Sequence, residues 1–427
     1  MFCSPFRVAQ KNGMNMTQYD VVIVGGGPAG MMAALFARRT GKSVVILEKM
    51  QKLGKKLLIT GAGRCNLSNR TLNSSFYKSE ARPLVESVFR KFDGATILKY
   101  FKELGLHVYA DETGRLFPVT NQAASVLKVL ELELARVKVS VECGFTVSEI
   151  NPVGGDRRSG DSDSLYFEVV SSGGLSVRGK AIILCGGGKS YPALGADGNA
   201  YGLAEKFGHS TVEPVPSTVP LIVKDPWCHF LQGQKIRAKV RVLEGGEVLR
   251  EADGDLLFTQ YGLSGTAILD VSDPVSIALN REKKKEMILE MDLLSFLSED
   301  ELRSEIKKRV RRGIPPGDLL EGLLPHKFSR LLAREADVLT GNVSGASLDL
   351  LVAQIKRKKF RVLGTRGWNE AEFTAGGIPS FEVTEELRSK FQRGLAFAGE
   401  IVDVQASRGG YQLAWAWASG AVAGSAA

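Results

Sequence analysis

Hydrophobic positions along the chain fall into two textures. At the N-terminal side, Tyr19–Val24 is a β-branched run suited to a strand buried on both faces of a parallel sheet. Three glycines interrupt it, and a helix-forming stretch runs to about Thr40, with Gly41 placed as its stop. Ser43–Leu47 predicts the next strand, which ends at Glu48. Further on, Val137–Glu142 alternates as a strand and Ala181–Leu184 supplies another short apolar one. Asn151–Gly174 is rich in Gly, Ser and Asp without apolar periodicity, which predicts a loop; Tyr166–Val170 and Leu175–Arg178 read as a hairpin around it.

From about Val215 to Asp270 the texture changes to short alternating segments, such as Lys239–Leu243 and Asp255–Thr259, separated by glycine-rich turns. These predict a small antiparallel sheet or barrel. Helical periodicity takes over from Ser298 to about Arg357, opened by the capping-box pair Ser298 and Glu301 and broken by Pro315, Pro316 and Pro325. After Ala371 the strand, turn and helix pattern returns. The fold class expected is therefore α/β. A discontinuous domain (17–210 plus 372–427) carries an inserted β-barrel-like part (211–297) and an inserted helical unit (298–371). Residues 1–16 lack the apolar core of a signal peptide and are expected to be a disordered extension or the product of an early start codon.

Composition narrows the function classes. No run of about 18 apolar residues occurs, so no membrane span is expected. The five cysteines are scattered with no CxxC pair, which predicts reduced thiols in a cytoplasmic protein. With four histidines and no ligand-like pair, no metal is expected. The formal charge of +9 invites a nucleic-acid reading. The basic runs are Arg281–Lys285, Lys307–Arg312 and Lys356–Arg361; Leu302, Ile306 and Val310 put Lys307 and Lys308 on the wet face of an amphipathic helix.

The glycine break carries the chemistry. Gly25, Gly27 and Gly30 form GxGxxG. The first permits a tight turn, the second lets a pyrophosphate approach the backbone, and the third lets helix and strand pack. Pro28 suits the first helical turn, and the helix N-terminus faces the phosphates. Glu48, about twenty residues on, is placed to accept hydrogen bonds from an adenosine ribose. An acid there also disfavours a 2′-phosphate. Strand, glycines, helix, strand and acid in that order specify an ADP moiety, shared by FAD and NAD.

Two later stretches point to FAD. In residues 53–69, Gly61 and Gly63 let the backbone run close to a ligand, and Arg64 and Asn66 offer donors; Cys65 reads as a packed, inert thiol. In residues 395–420 a strand is followed by Gly399, Glu400 and Asp403, and Gly409-Gly410 open a helix. A carboxylate after a strand can bind ribityl hydroxyls, and a helix N-terminus at 410–412 can stabilise negative charge on a reduced flavin.

Together GGGPAG (25–30), LLITGAGRCNLSN (57–69), GKSYPALGADG (188–198), FTQYGLSGTAIL (258–269), TAGGI (374–378) and FAGEIVDV…GGYQLAWAWASG (397–420) resemble the bacterial BaiN-like or YhiN-like NAD(P)/FAD-dependent oxidoreductases. The resemblance runs from about Tyr19 to the C-terminus. It implies that 17–210 plus 372–427 form a discontinuous Rossmann-type FAD-binding domain of the glutathione-reductase type. It also implies FAD contacts at Gly25, Gly27, Ala29, Gly30, Glu48, Lys49, Arg64, Cys65, Asn66, Gly399, Glu400, Asp403, Gly410, Tyr411, Gln412 and Leu413, with Val147 at the adenine. The chain departs from the usual pattern at Cys185-Gly186, Gln260, Gln405-Ala406, Gln412 and Ala414, so substrate class does not carry over.

The function expected is hydride transfer between bound FAD and a small organic substrate. NADH, NADPH or oxygen would be a transient partner, because no second dinucleotide fingerprint follows Gly186-Gly187-Gly188. No catalytic acid or base is legible; Tyr191, Gln260 and Arg64 are polar candidates near glycine-rich turns. The alternatives are a flavin-dependent tRNA- or nucleic-acid-modifying protein, with its basic insertion docking RNA, and a non-catalytic FAD-binding protein.

Overall fold

The structure, a computed structural model, describes residues 17–154, 166–284, 286–339 and 343–427. The expected N-terminal extension and the centre of the Asn151–Gly174 loop lie outside the described residues. The chain divides into two compact units, one made of residues 17–214 with Phe373–Ala427 and the other of Val215–Glu372.

The first unit is built on a sheet whose parallel core is ordered Ser140–Cys143, Val44–Glu48, Gln18–Val24, Ser176–Leu184. On its side away from Gln18–Val24 the strand Ser176–Leu184 has two further partners. Its first half pairs antiparallel with Tyr166–Ser171, and Ile182–Leu184 pair parallel with Leu395–Phe397. The predicted hairpin is present, but the expected loop is shorter, because Val147–Val153 is itself a strand against Tyr166–Ser171. Val137 caps the helix Ala123–Arg136 instead of opening a strand. Val21, Val22 and Ile23 have no exposed surface, and each such side chain contributes about 1.5–3 kcal/mol relative to exposure.

The helix that follows the glycine turn packs on this sheet. Pro28–Arg39 follows Gly27 and stops at Thr40, with Gly41 at φ +84° behind it. The C-terminal helix Tyr411–Ala426 packs on it almost backbone to backbone. A Cβ on Gly420 would fall 2.3 Å from Ala29 O, and one on Gly424 would fall 2.2 Å from Ala33 O. Tryptophans stitch the same helix to distant segments, Trp415 Nε1 donating to Gly399 O and Trp417 Nε1 to Leu67 O, both at 3.0 Å.

The second unit is a closed barrel ordered Leu221–Val223, Gly262–Ser264, Glu247–Thr259, Lys235–Glu244, Met287–Asp292, Lys358–Thr365. Its last strand follows the helices Glu299–Arg311, His326–Glu335 and Gly345–Arg357. The helical stretch is thus inserted within the barrel, and Leu302, Ile306, Phe328 and Leu351 share one core with Val240, Leu256 and Phe258. Ser298 and Glu301 form the expected capping box. Leu302 and Ile306 are fully buried, whereas Val310 is 37% exposed, so the apolar stripe ends one turn early. Among the described residues no helix is long and apolar enough to cross a membrane.

Candidate functional site

The three glycines of the turn have different surroundings. Gly25 has φ +106°, and a Cβ there would fall 2.5 Å from Cys185 O. On Gly30 a Cβ would lie 1.9 Å from Gly25 O, so this glycine lets the helix sit on the turn. At Gly27 a Cβ would meet nothing within 4 Å. Only the middle glycine opens outward, beside the first helical amides, where an anion is best stabilised.

Glu48 is 8% exposed. Its Oε2 accepts from Gly26 N at 2.7 Å and its Oε1 from Met50 N at 2.8 Å. Burial pushes its carboxyl above the ordinary range, opposed by those amides and by Lys49 and Lys55. A carboxylate offers about four lone-pair sites, so acceptor capacity remains for hydroxyls. The segment before Val147 lies alongside, since Gly144 N donates to Met50 O and Phe145 N to Glu48 O. Lys49 pairs with Asp197 at 2.5 Å, on the turn before the helix Asn199–Glu205.

The stretch after Lys56 is wound tightly: Gly61, Ala62, Gly63 and Cys65 all have positive φ. Cys65 is wholly buried, and burial pushes its thiol up to about 12. The thiol is therefore protonated and inert, as read from the sequence. Cys185 and Cys228 are also free and buried, while Cys143 is disulfide-bonded, a departure from the expectation of five reduced thiols. Arg64 is exposed, its guanidinium 4.4 Å from the centre of the Phe117 ring. Asn66 accepts from Gly410 N at 3.0 Å and donates to Ser68 O at 3.1 Å. Gly410 (φ +99°) cannot be replaced cheaply, because a Cβ would fall 2.4 Å from Ser68 O.

At the C-terminal side two carboxylates are held in matching fashion. Glu400 accepts from Thr374 N at 2.9 Å and from Lys56 Nζ at 2.8 Å. Asp403, 7% exposed, accepts from Gly376 N at 3.0 Å and Lys78 Nζ at 2.9 Å. Lys56 also bonds Ser190 Oγ, and Thr374 Oγ1 accepts from Lys189 N and Ser190 N. Gln412, a departure from the family pattern, accepts from Ala406 N at 3.0 Å and donates to Val404 O at 3.3 Å. It thereby ties down the loop that holds the Gln405-Ala406 departure. Tyr411 stacks on Phe76 at 4.1 Å between ring centres.

The first unit thus brings Gly25–Gly30, Glu48, Asn66, Glu400, Asp403 and Gly410 onto mutually bonded segments. Cys65 and Val147 belong to the same segments but are buried, so only their backbones or packing can shape a ligand site. Gln260 lies exposed on a barrel turn of the other unit, and Tyr191 sits on the Ser190 turn with φ +58°. Lys56, Lys78, Thr374 and Gly376, which bond Glu400 and Asp403, were not picked out as site residues in the sequence. The TAGGI stretch flags two of them; nothing local ties a lysine at 56 to an acid at 400. In the second unit Asp318, Glu321 and His326 place ligand atoms within 4.8 Å of one another. They lie at the surface, where acids commonly cluster without an ion.

FAD suits this set of residues. Gly27 presents open backbone for a pyrophosphate, Glu48 a buried carboxylate for a ribose, and Glu400 and Asp403 fixed acceptors for hydroxyls. The buried Ser68 Oγ and Tyr201 hydroxyl have no hydrogen-bond partner among the described residues.

The profile of the HI0933-like protein Rossmann domain matches residues 19–426. The 3-dehydro-bile acid delta(4,6)-reductase of Clostridium scindens is 33% identical over 415 residues, 95% of this chain and 98% of that protein. The ribosomal RNA dihydrouridine synthase of Haemophilus influenzae is 28% identical over 411 residues, 95% of this chain and 97% of that one. Among solved structures, 3-ketosteroid delta1-dehydrogenase from Sterolibacterium denitrificans in complex with 1,4-androstadiene-3,17-dione matches with a TM-score of 0.51 at 12% identity. That match covers 96% of this chain and 99% of the other, and is a likeness of fold.

Proposed function

The chain belongs to the HI0933-like Rossmann family and is an FAD-dependent oxidoreductase, and from that premise we propose that it is a reductase delivering a hydride to an electron-poor carbon–carbon double bond of a small organic molecule. The observation that carries this reading is its end-to-end similarity to the bile acid reductase. A delta(4,6) reduction and the making of a dihydrouridine have in common the saturation of a carbon–carbon double bond. Such a bond accepts hydride when a neighbouring carbonyl draws electron density from it. NADH, NADPH or oxygen would be the transient partner on the other side of the cycle.

Bound FAD supplies the two-electron chemistry; the chain supplies grip and electrostatics. In this reading the amides of Gly27, Ala29 and Gly30 take the pyrophosphate, and Glu48 with Lys49 takes the adenosine ribose. Val147 borders the adenine, because 144–147 runs beside Glu48–Met50. Glu400 and Asp403 hold the ribityl hydroxyls. Arg64, Cys65, Asn66 and the turn from Gly399 shape the isoalloxazine end; Gly410, whose amide is held by Asn66, sets the start of the helix, and the amides of Tyr411–Leu413 face the charge that develops on reduction.

The test is anaerobic. Holoprotein mixed with NADH or NADPH should bleach, and an unsaturated 3-oxo steroid should restore the colour while its saturated analogue does not. A flavin that no nicotinamide reduces, or that no activated alkene reoxidises, contradicts the reading.

A second reading, an RNA substrate, is favoured by the Haemophilus influenzae relative and by the net charge of +9. It predicts that ribosomal RNA, not the enone, reoxidises the flavin, with binding that weakens steeply as salt rises.

A further inference from the structure

Tyr201 lies in the short helix Asn199–Glu205, whose start is pressed against the glycine turn after the central strand: a Cβ on Gly186 would fall 2.4 Å from Ala200 Cβ. The approach to this helix is fixed from several sides. Lys49 bonds Asp197 and Asn199, and Tyr201 N donates to Gly198 O at 3.1 Å. The ring lies across Gly198, where an added Cβ would meet ring carbons at 3.4 and 3.5 Å and Lys189 Cδ at 3.6 Å.

The side chain is 6% exposed, yet its hydroxyl has no hydrogen-bond partner among the described residues. A buried hydroxyl left unpaired bears its full desolvation cost. Phenylalanine would fill the same space without it, so packing does not account for the oxygen. Burial first, and then the negative charges of Glu400 and Asp403, push the phenol above its ordinary range. The hydroxyl is therefore a neutral donor, on a ring that shares the space at Gly198 with Lys189, whose N donates to Thr374 Oγ1 while Thr374 N donates to Glu400.

We infer that the Tyr201 hydroxyl is a cofactor-binding group, donating a hydrogen bond to an oxygen of FAD in the stretch held by Glu400 and Asp403. The inference rests on the cofactor reading above. It makes the unpaired donor a feature of the flavin-free chain, satisfied when the cofactor enters.

The test compares full-length wild-type and Tyr201→Phe protein, stripped of flavin and titrated with FAD, with thermal unfolding followed before and after loading. Loss of one neutral hydrogen bond raises the FAD Kd about five- to tenfold. The flavin-free variant unfolds at the same temperature as wild type or higher, since an unpaired group has been removed, while the rise on FAD loading shrinks. Equal FAD affinity in the two proteins overturns the assignment of Tyr201 alone. So does a flavin-free variant that unfolds earlier or fails to fold, because the hydroxyl would then have a structural partner. Wild-type protein that takes up no FAD overturns the cofactor reading and this inference with it.

Discussion

Lys56 Nζ lies 2.8 Å from Glu400 Oε2, a contact that spans 344 residues of sequence. It ties the turn after the strand Leu395–Phe397 to the loop that follows Glu48. The pair is only partly exposed, 25% at the lysine side chain and 13% at the carboxylate. Removing one member of such a pair leaves a half-buried charge, at a cost of about 1–2 kcal/mol after discounting for solvent. Lys56→Met is expected to unfold at lower denaturant and to bind FAD less tightly, whereas Lys56→Arg keeps most of both. Equal denaturant midpoints for wild type and Lys56→Met would show the contact to be incidental.

The glycines separate folding from binding. Gly27→Ala has an ordinary φ of −77° and open space at its new methyl. Its flavin-free stability should stay within about 0.5 kcal/mol of wild type, while FAD affinity falls at least tenfold. In Gly30→Ala the methyl meets Gly25 O, and stability itself should drop by about 1–3 kcal/mol. Denaturant melts of the two flavin-free variants check this; a destabilised Gly27→Ala that still binds FAD would reverse the assignment.

The strand, turn, helix and strand that end at Glu48 were legible in the chain because all of them are local, within residues 18–48. The later part of the candidate site was legible only as far as its acids. Glu400 and Asp403 follow a strand and could be picked out, but Lys56, Lys78 and Thr374 reach them through folding. Tyr201 was hidden for another reason, since burial and an unpaired hydroxyl have no signature in sequence. The barrel suffered from the same long reach. Its closing strand Lys358–Thr365 returns after three helices, so the pattern of residues 211–297 showed a sheet without its last member.

Cys65 should be unreactive. It is fully buried, and its thiol is pushed up to about 12, mainly by burial. Thiol reagents should label it only after unfolding, and Cys65→Ser should retain flavin reduction at near wild-type rate. Mass spectrometry of alkylated native protein provides the check; rapid labelling of Cys65 would place it in a solvent-open site instead.

His209 is expected to make the first unit sensitive to acid. Its ring bonds Glu382 through Nδ1 at 2.9 Å and Ser389 through Nε2 at 2.7 Å, anchoring the segment around Ser380–Lys390. Burial holds its pKa below the ordinary 6.5, partly offset by Glu382. A lowered value means the folded state prefers the neutral ring. The stability it contributes is therefore full above the ordinary value and is lost as pH falls through the lower folded one. The unfolding midpoint should decline as pH is taken from about 7 to about 5, with a shallower slope in His209→Gln. An unchanged slope would assign the acid sensitivity elsewhere.

The central claim is that both ends of the chain grip one FAD, and its most direct test is a titration of flavin-free protein with FAD followed by flavin fluorescence. Wild type should saturate at one FAD per chain, and both Gly27→Val and Asp403→Ala, one variant at each end, should lose affinity severely. Wild-type protein that leaves the flavin free, or either variant binding FAD as tightly as wild type, would contradict it.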